Sequence, residues 1–463
     1  MAGRGRERRL TQERPRLPEN PPVPRAHPAL AFALVAMEGP DRYSQVGGLG
    51  VRVTQLARAL AQAQCQVDLF FLGAPDLPSE EEWEAVRLHR LAQEISVEFP
   101  GGVYQGERLK LSYLAARLPR QLVEGWVAPQ LERGVLPVLL FEEWQTASWA
   151  RRTVELLRER DLQRRCLVLW NANNQFGFED MDWVGLTESV GVLTISRHMR
   201  LLVEQFGAMP FVIPNGIPEE HLVPVDPAAA DLLARGAGAR PFLFKVGRFH
   251  PDKRWFQAIR ALAQLRERGS ALRLLVRGGH EHYRAEVLGL ARSLGLRVGS
   301  ADEPLTTVAE VAAALGSDLD SDLLELTRFL PEELLAPLYR GSVAVLANSG
   351  FEPFGLVGLE TMAAGGVAVV GATGEDYARH LHNSLVMESD DPEELASAIE
   401  LVATDPERAE QIRVSAREMA AAYSWPGVIS GDLLPRLPLL ARRQGVDWLG
   451  PAKGPATAAP PLT

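Results

Sequence analysis

The sequence predicts an α/β protein made of two Rossmann-like halves of similar size. The chain has 463 residues, 46% hydrophobic and 23% charged, which is an ordinary globular composition and long enough for two large α/β domains. Short apolar runs of strand length alternate with helical patterns, as in parallel sheets built from βαβ units. These runs form two series, separated by the Pro/Gly/Ala-rich stretch from Pro224 to Pro241, which reads as a linker or exposed capping segment.

Strands of the first series are expected at Leu30 to Met37, Val67 to Leu72, Leu136 to Phe141, Cys166 to Trp170, Val190 to Ile195 and Phe211 to Ile213, with helices at Val51 to Gln64 and Trp149 to Leu162. Val53, Leu56, Ala57 and Leu60 mark the apolar face of the first helix. The second series places strands at Phe242 to Val246, Leu272 to Val276, Leu324 to Thr327, Val343 to Leu346 and Val367 to Val370. Its helices fall at Trp255 to Glu267, His282 to Leu294, Pro331 to Tyr339, Leu356 to Ala364, Pro392 to Ala403 and Pro406 to Ala422. The first 28 residues carry seven Arg and six Pro and read as a disordered tail, as do residues 450–463. That leaves domains at 29–220 and 221–424, and the cleft between the two sheets is the natural ligand site.

Composition narrows the function. A formal charge of -10 and a pI near 5.6 give no whole-chain reason to expect nucleic acid. No apolar run approaches the roughly eighteen residues of a membrane span, which leaves room only for peripheral membrane contact. Residues 1–28 lack the apolar core of a secretory signal, and Glu7, Glu13, Glu19 and the prolines argue against a mitochondrial address. Cys65 and Cys166 have no metal-ligand spacing and read as reduced, mostly buried thiols, so a cytoplasmic protein is expected. Of 49 basic residues only four are lysines: Lys110, Lys245, Lys253 and Lys453.

Three segments could carry chemistry. Gly47, Gly48 and Gly50 open the helix after the first strand, where backbone N–H groups can meet an anion; a tight βα turn without a ligand is the alternative. Arg248 and Lys253 follow the strand Phe242 to Val246, placed so that two cations could neutralise a diphosphate. A charge-assisted contact of that type contributes roughly 1.5 to 3 kcal/mol. The third segment runs from Ser349 to Glu360. Phe354, Gly355 and Leu356 offer free N–H groups at a helix start, Glu352 lies on the loop before it, and Glu360 about one turn inside. Carboxylates so spaced suit different hydroxyls of one extended ligand; Glu360 is also what a helix dipole favours early in a helix. His250 reads as a loop residue.

Together, Gly47-Gly48-Leu49, Pro214-Asn215-Gly216-Ile217, Gly247-Arg248 with Lys253, and Glu352-Pro353-Phe354-Gly355 through Glu360 resemble the retaining nucleotide-sugar glycosyltransferases of family 4 (glycosyl transferases group 1). The similarity runs in order from about residue 30 to about residue 430. It implies the GT-B fold, two Rossmann-like domains facing across a cleft, with Ser424-Trp425 and a final helix at about 425–449 crossing back onto the first domain. The implied activity is metal-independent transfer of a sugar from a nucleoside diphosphate sugar to a hydroxyl acceptor (a sugar, small metabolite or lipid-linked glycan), with no cofactor. The donor would be of UDP or GDP type, UDP-glucose first among them, bound mainly by the C-terminal domain, and the acceptor mainly by the N-terminal one.

By the same resemblance, Arg248 and Lys253 hold the diphosphate and stabilise its charge as the glycosidic bond breaks. Glu352 and the backbone of Phe354, Gly355 and Leu356 hold the donor sugar and phosphate, Glu360 binds the ribose, and the Gly47-Gly48 loop closes over the phosphate. One departure stands out: many relatives have a His-Asp-Trp or His-Glu-Trp run, with the His near the donor sugar's outer hydroxyls. Here Glu142-Glu143-Trp144 puts Glu142 at the His position among the donor-binding residues. A carboxylate donates no hydrogen bond unless protonated. The alternatives are an alignment shifted by one or two residues, or a strand-end role for Glu142.

Asn171, Asn173 and Asn174 stand where they could line the acceptor side or simply form a turn. Glu179, Asp180 and Asp182 read as a solvated loop, and Arg151, Arg152, Arg158 and Arg160, alternating with Glu155 and Glu159, as a salt-bridged helix face. The competing functional readings are another GT-B enzyme, such as a nucleotide-sugar epimerase or a phosphorylase, and a catalytically silent GT-B scaffold that binds a nucleotide or a partner.

Overall fold

A computed structural model describes residues 29–448; the two tails expected from the sequence lie outside the described residues. The first sheet contains β1 (Leu30–Val35), β2 (Gln66–Leu72), β3 (Glu80–Trp83), β4 (Val86–Leu91), β5 (Leu136–Glu142), β6 (Leu167–Ala172), β7 (Gly191–Thr194) and β8 (Phe211–Val212), in the order β3-β4-β2-β1-β5-β6-β7-β8. Every pairing is parallel except β3 with β4. The second contains β9 (Phe242–Val246), β10 (Arg273–Arg277), β11 (Val298–Ala301), β12 (Leu323–Leu326), β13 (Val345–Ala347), β14 (Ala368–Val370) and β15 (Leu385–Val386), all parallel, in the order β11-β12-β10-β9-β13-β14-β15.

β1 and β5 are buried along their whole length, as apolar runs covered on both faces by helices must be. Both sheets reverse their strand order at the first strand, between β1 and β5 and between β9 and β13. Such a switch point opens a crevice at the carboxyl ends of the two diverging strands. All three chemistry-bearing segments leave strands at these two places.

The elements legible from periodicity agree closely with the structure; β9 and the helices Trp255–Glu267 and Pro406–Ala422 agree to the residue. The stretch from Pro224 to Pro241 corrects the expectation of a linker. It forms a helix, Pro227–Ala237, started by Pro227 and by Asp226, which accepts from Ala228 N at 2.9 Å. Its small residues let it lie close against the Val308–Ser317 helix, where a side chain on Gly236 would collide with the Ala312 carbonyl. An apolar face made largely of Ala leaves little periodic signal. β3, β4, β11 and β15 and the helix Glu107–Arg120 are further elements that the periodicity did not mark.

The chain crosses between domains at two adjacent segments joined by an isolated β-bridge between Ile217 and Ser424: Ile217 N donates to Tyr423 O at 2.9 Å and Trp425 N to Ile217 O at 3.0 Å. Beyond this crossing, Trp425, Val428, Ile429, Leu433, Leu437 and Leu440 join the core under the first sheet. Gln444 closes the contact by donating to Val168 O at 2.9 Å. Gly216 sits so close to Trp425 that a Cβ would overlap the indole. Among the described residues, no helix is long and apolar enough to cross a membrane.

Candidate active site

On the C-terminal side, β9 is followed by Gly247, whose φ of +147° suits glycine, and the turn exposes the Arg248 side chain. His250 caps the short turn Pro251–Lys253 by accepting from Asp252 N at 3.3 Å, which makes it a loop residue. Lys253 is half-buried, and its Nζ lies 2.5 Å from Glu352 Oε2. The turn is locked to the loop after β13 by Gly350 N donating to Asp252 O at 2.7 Å. Arg248, Lys253 and Glu352 are thereby brought to one edge, although Glu352 lies about a hundred residues further along the chain.

The floor of this edge is built from a second lysine. Lys245, fully buried on β9, donates to Leu346 O at 2.9 Å and Asn348 Oδ1 at 2.7 Å, and Asn348 donates on to Gln257 at 2.8 Å. Burial holds the ammonium well below its ordinary pKa, and the neighbouring charges of Lys253 and Arg254 lower it further. An amine kept out of water beneath two cations is tolerated because its environment favours the neutral form and it donates to two protein oxygens.

Phe354 is buried, and Gly355, at φ +81°, opens the helix Leu356–Ala363. A side chain at Gly355 would meet Glu375 Cγ at 2.8 Å and the Tyr377 hydroxyl at 3.0 Å, and Tyr377 donates to the Gly355 carbonyl. Glu375 is itself buried under this loop, with one oxygen accepting from Thr373 N at 3.1 Å and the other without a partner. Its carboxyl is pushed up to about 7, by burial first and by Glu352 second. Glu360, one turn into the helix, accepts from the Tyr339 hydroxyl at 3.4 Å. Loss of solvation pushes its carboxyl up to about 7, opposed by His221 and reinforced by Glu332. His221 comes from the turn Glu219–Leu222, just past the domain crossing, and lies 3.3 Å from Glu332. Sequence reading missed His221, Glu332, Tyr339, Glu375 and Tyr377, since none belongs to a spaced motif.

On the N-terminal side, the glycine turn opens the helix Gly48–Gln62, and an anion is already present there. Glu38, just past β1, accepts from Val46 N (3.2 Å), Gly47 N (3.0 Å) and Gly50 N (2.9 Å), and from the Tyr104 hydroxyl at 2.5 Å. The Gly47-Gly48 loop is therefore organised around a buried carboxylate of its own chain. A carboxylate at the end of β1, eight residues before the first donor, was the signal available for it.

Glu142 differs from the expectation that it faces the donor sugar as the family His does. It is fully buried at the end of β5, paired with Arg52 at 3.2 Å, and accepts from Asn171 (2.9 Å) and Asn173 (2.7 Å). Arg52 also donates to Asn215, which ties the motif Pro214 to Ile217 into the same network. This burial and pairing fit the strand-end alternative for Glu142, because a buried carboxylate takes the nearest strong donors.

The next residue breaks strand geometry: Glu143 has φ +72° and precedes the helix Trp144–Glu159. Its carboxyl accepts from Asn173 N and Asn174 Nδ2, both at 2.9 Å. Burial and then the charge of Glu142 push it up to about 8. Asn171, Asn173 and Asn174 thus bind both glutamates rather than forming a bare turn.

The remaining polar features are structural. Asp182 caps the helix Trp183–Thr187 and pairs with Arg151, while Arg152 pairs with Glu155 and Glu159 and Arg160 with Glu124. Burial pushes the Cys65 thiol up to about 11 and Cys166 higher still, so neither is a thiolate nucleophile. The domains touch beside the site, where Arg197 N donates to Asp376 at 2.7 Å and His198 packs edge-on against Phe351 at 5.2 Å.

Residues 240–405 match the family described as glycosyl transferases group 1. The chain is 32% identical over 242 residues to a D-inositol 3-phosphate glycosyltransferase of Geodermatophilus obscurus, a match covering 50% of this chain and 49% of that relative. It thus spans about half the length of the first curated relatives it matches. Among solved structures it superposes on sucrose-phosphate synthase from Thermosynechococcus elongatus with a TM-score of 0.62 at 21% identity, covering 89% of this chain and 98% of the other. A second, from E. coli, is described as trehalose-6-phosphate bound with UDP-2-fluoro glucose; its TM-score is 0.62 at 15% identity, over 89% of this chain and 99% of that one.

Proposed function

We propose that this chain, in which residues 240–405 belong to the glycosyl transferases group 1 and the two domains form the GT-B fold, transfers a sugar from a nucleoside diphosphate sugar to a hydroxyl acceptor, with retention and without a metal ion. The observation that carries this reading is the edge formed at the β9/β13 switch point by Arg248, Lys253, Glu352 and the amides that open the Leu356–Ala363 helix. Two cations and a helix start facing one crevice suit a diphosphate. Glu360, one turn further, suits a ribose diol.

In the reaction, the acceptor oxygen bonds to the anomeric carbon as the bond from that carbon to the diphosphate oxygen breaks. The electron pair stays on the diphosphate, and the acceptor proton passes to the departing phosphate on the same face. Arg248 and Lys253 stabilise the charge that develops on the leaving group, the role a metal would otherwise fill. Lys253 has three donors, and the contact with Glu352 uses one, so the ammonium can reach phosphate while staying anchored. Donors of UDP or GDP type fit this reading, UDP-glucose foremost.

A thermal-shift screen of the full chain with UDP, GDP, ADP and TDP and their sugar conjugates tests it, because a ligand that prefers the folded state raises the melting temperature by mass action. The expected result is a shift with one nucleotide that disappears in Lys253→Ala. A well-folded protein that no nucleotide shifts would overturn the reading and favour a silent scaffold.

A further inference from the structure

The first domain carries a second concavity, away from the crevice. A cavity of about 560 Å³ opens where the amino ends of β6 and β7 meet the last turns of the helices Trp144–Glu159 and Leu434–Gln444. Cys166 and Val168 line it at the start of β6, and Val190, Gly191 and Val192 at the start of β7. The candidate active site lies at the other, carboxyl ends of these strands. Val168 and Ala172, within β6, are about 13 Å apart at roughly 3.3 Å per residue. The volume falls within the range of about 300–1,000 Å³ usual for small-molecule pockets and far exceeds a packing void.

The lining is amphipathic. Val154 and Leu157 from the first of those helices, Val168, Val190 and Val192 from the strands and Leu440 from the second helix form an apolar floor, and all six are buried. Arg158 and Arg443 also line the cavity, and both are exposed. Arg151, Arg152 and Arg160, nearby in sequence, pair with carboxylates. Arg158 instead donates to the Glu188 carbonyl at 3.1 Å. Arg443 donates to the Met209 carbonyl at 3.3 Å, with its guanidinium 4.4 Å from the centre of the Phe211 ring. Among the described residues each guanidinium has one such hydrogen bond and no ion pair, so most of its five donors are left for a ligand. Glu188 is the one carboxylate of the lining, and two guanidiniums against it leave the wall positive.

We propose that this cavity is a second ligand site for an amphipathic organic anion, its aliphatic or aromatic body laid on the valines and leucines and its anionic head held by Arg158 and Arg443. A bare phosphate would leave the apolar floor uncovered, and an ammonium head would be repelled by the two guanidiniums. The site stands independently of the transferase reading. Because Leu440 and Gln444 belong to the helix that follows the domain crossing, a ligand bound there braces that helix against the first sheet.

The probes for the test are octanoate, octylammonium and inorganic phosphate, titrated calorimetrically into the full chain near neutral pH, with and without UDP. The expected result is one octanoate bound per chain, at least about tenfold more tightly than octylammonium or phosphate, and at the same affinity when UDP is present. Replacing both arginines, Arg158→Gln with Arg443→Gln, should weaken octanoate at least about tenfold, the size of a lost charge-assisted contact. Ser189→Trp, which fills the cavity from its half-buried lining, should abolish binding. Both arginines are exposed, so their double variant decides the matter should Ser189→Trp fail to fold. Equal affinity for octanoate and octylammonium, phosphate binding as tightly as octanoate, unchanged affinity in the arginine variant, displacement by UDP, or no saturable octanoate binding would each overturn the proposal.

Discussion

The two switch points are built alike and finished differently. Each sends a glycine-bearing turn off the end of a central strand into a helix start, and each carries carboxylates close by. In the C-terminal domain, Arg248 is exposed and Lys253 half-buried, and the helix opening at Leu356 faces the crevice. In the N-terminal domain the corresponding amides are taken by Glu38 and the guanidinium by Glu142. One half leaves Arg248 exposed and Lys253 held by a single contact with Glu352; the other neutralises its electropositive groups internally. A helix N-terminus is thus only an opportunity for anion binding, and the nearest carboxylate of the chain decides whether it is used.

The comparison is broken most severely by removing the internal cation. Arg52→Ala strands the fully buried Glu142 carboxylate and is expected to destabilise the fold by about 3–5 kcal/mol, as breaking one partner of a buried pair does; denaturant unfolding measures it. A loss below about 1 kcal/mol, the level of exposed pairs, would mean that Glu142 is solvated and available to a ligand.

At the other switch point the same kind of truncation should act on function. Arg248→Ala and Lys253→Ala are each expected to lower turnover by about 10²–10³, the effect of removing one donor to a developing oxyanion, with little change in melting temperature. Near-normal turnover in both would remove the diphosphate site.

The smallest expected effect is a pH dependence that sharpens the donor side. Glu360, pushed up to about 7, is protonated in the unliganded protein below that pH. A raised carboxyl stabilises the fold below its unfolded value near 4.5, and this contribution is lost as pH rises through 7. Ribose hydroxyls prefer the ionised form, so nucleotide affinity should move the opposite way and fall about tenfold from pH 8 to pH 6. Titration calorimetry across that range, with Glu360→Gln as reference, reads it. The same slope in both proteins would assign the dependence to another group.

The sequence by itself determined the alternation of elements, the division into two sheets and the residues of the C-terminal switch-point edge. β9, its Gly247-Arg248 turn and the run from Glu352 to Glu360 are each local, and local propensity and spacing record them. The tertiary structure alone decided what each polar group faces. Glu142 and Glu143 are neighbours in sequence, yet the positive φ at Glu143 gives them different partners. Arg52 reaches Glu142 across 90 residues and Asn215 across 163, and His221 reaches Glu332 across 111. The physical reason is that an anion or cation in a buried crevice takes the strongest partner within about 3 Å, and which residue lies within that distance is set by how two sheets and a chain crossing are packed, not by position along the chain.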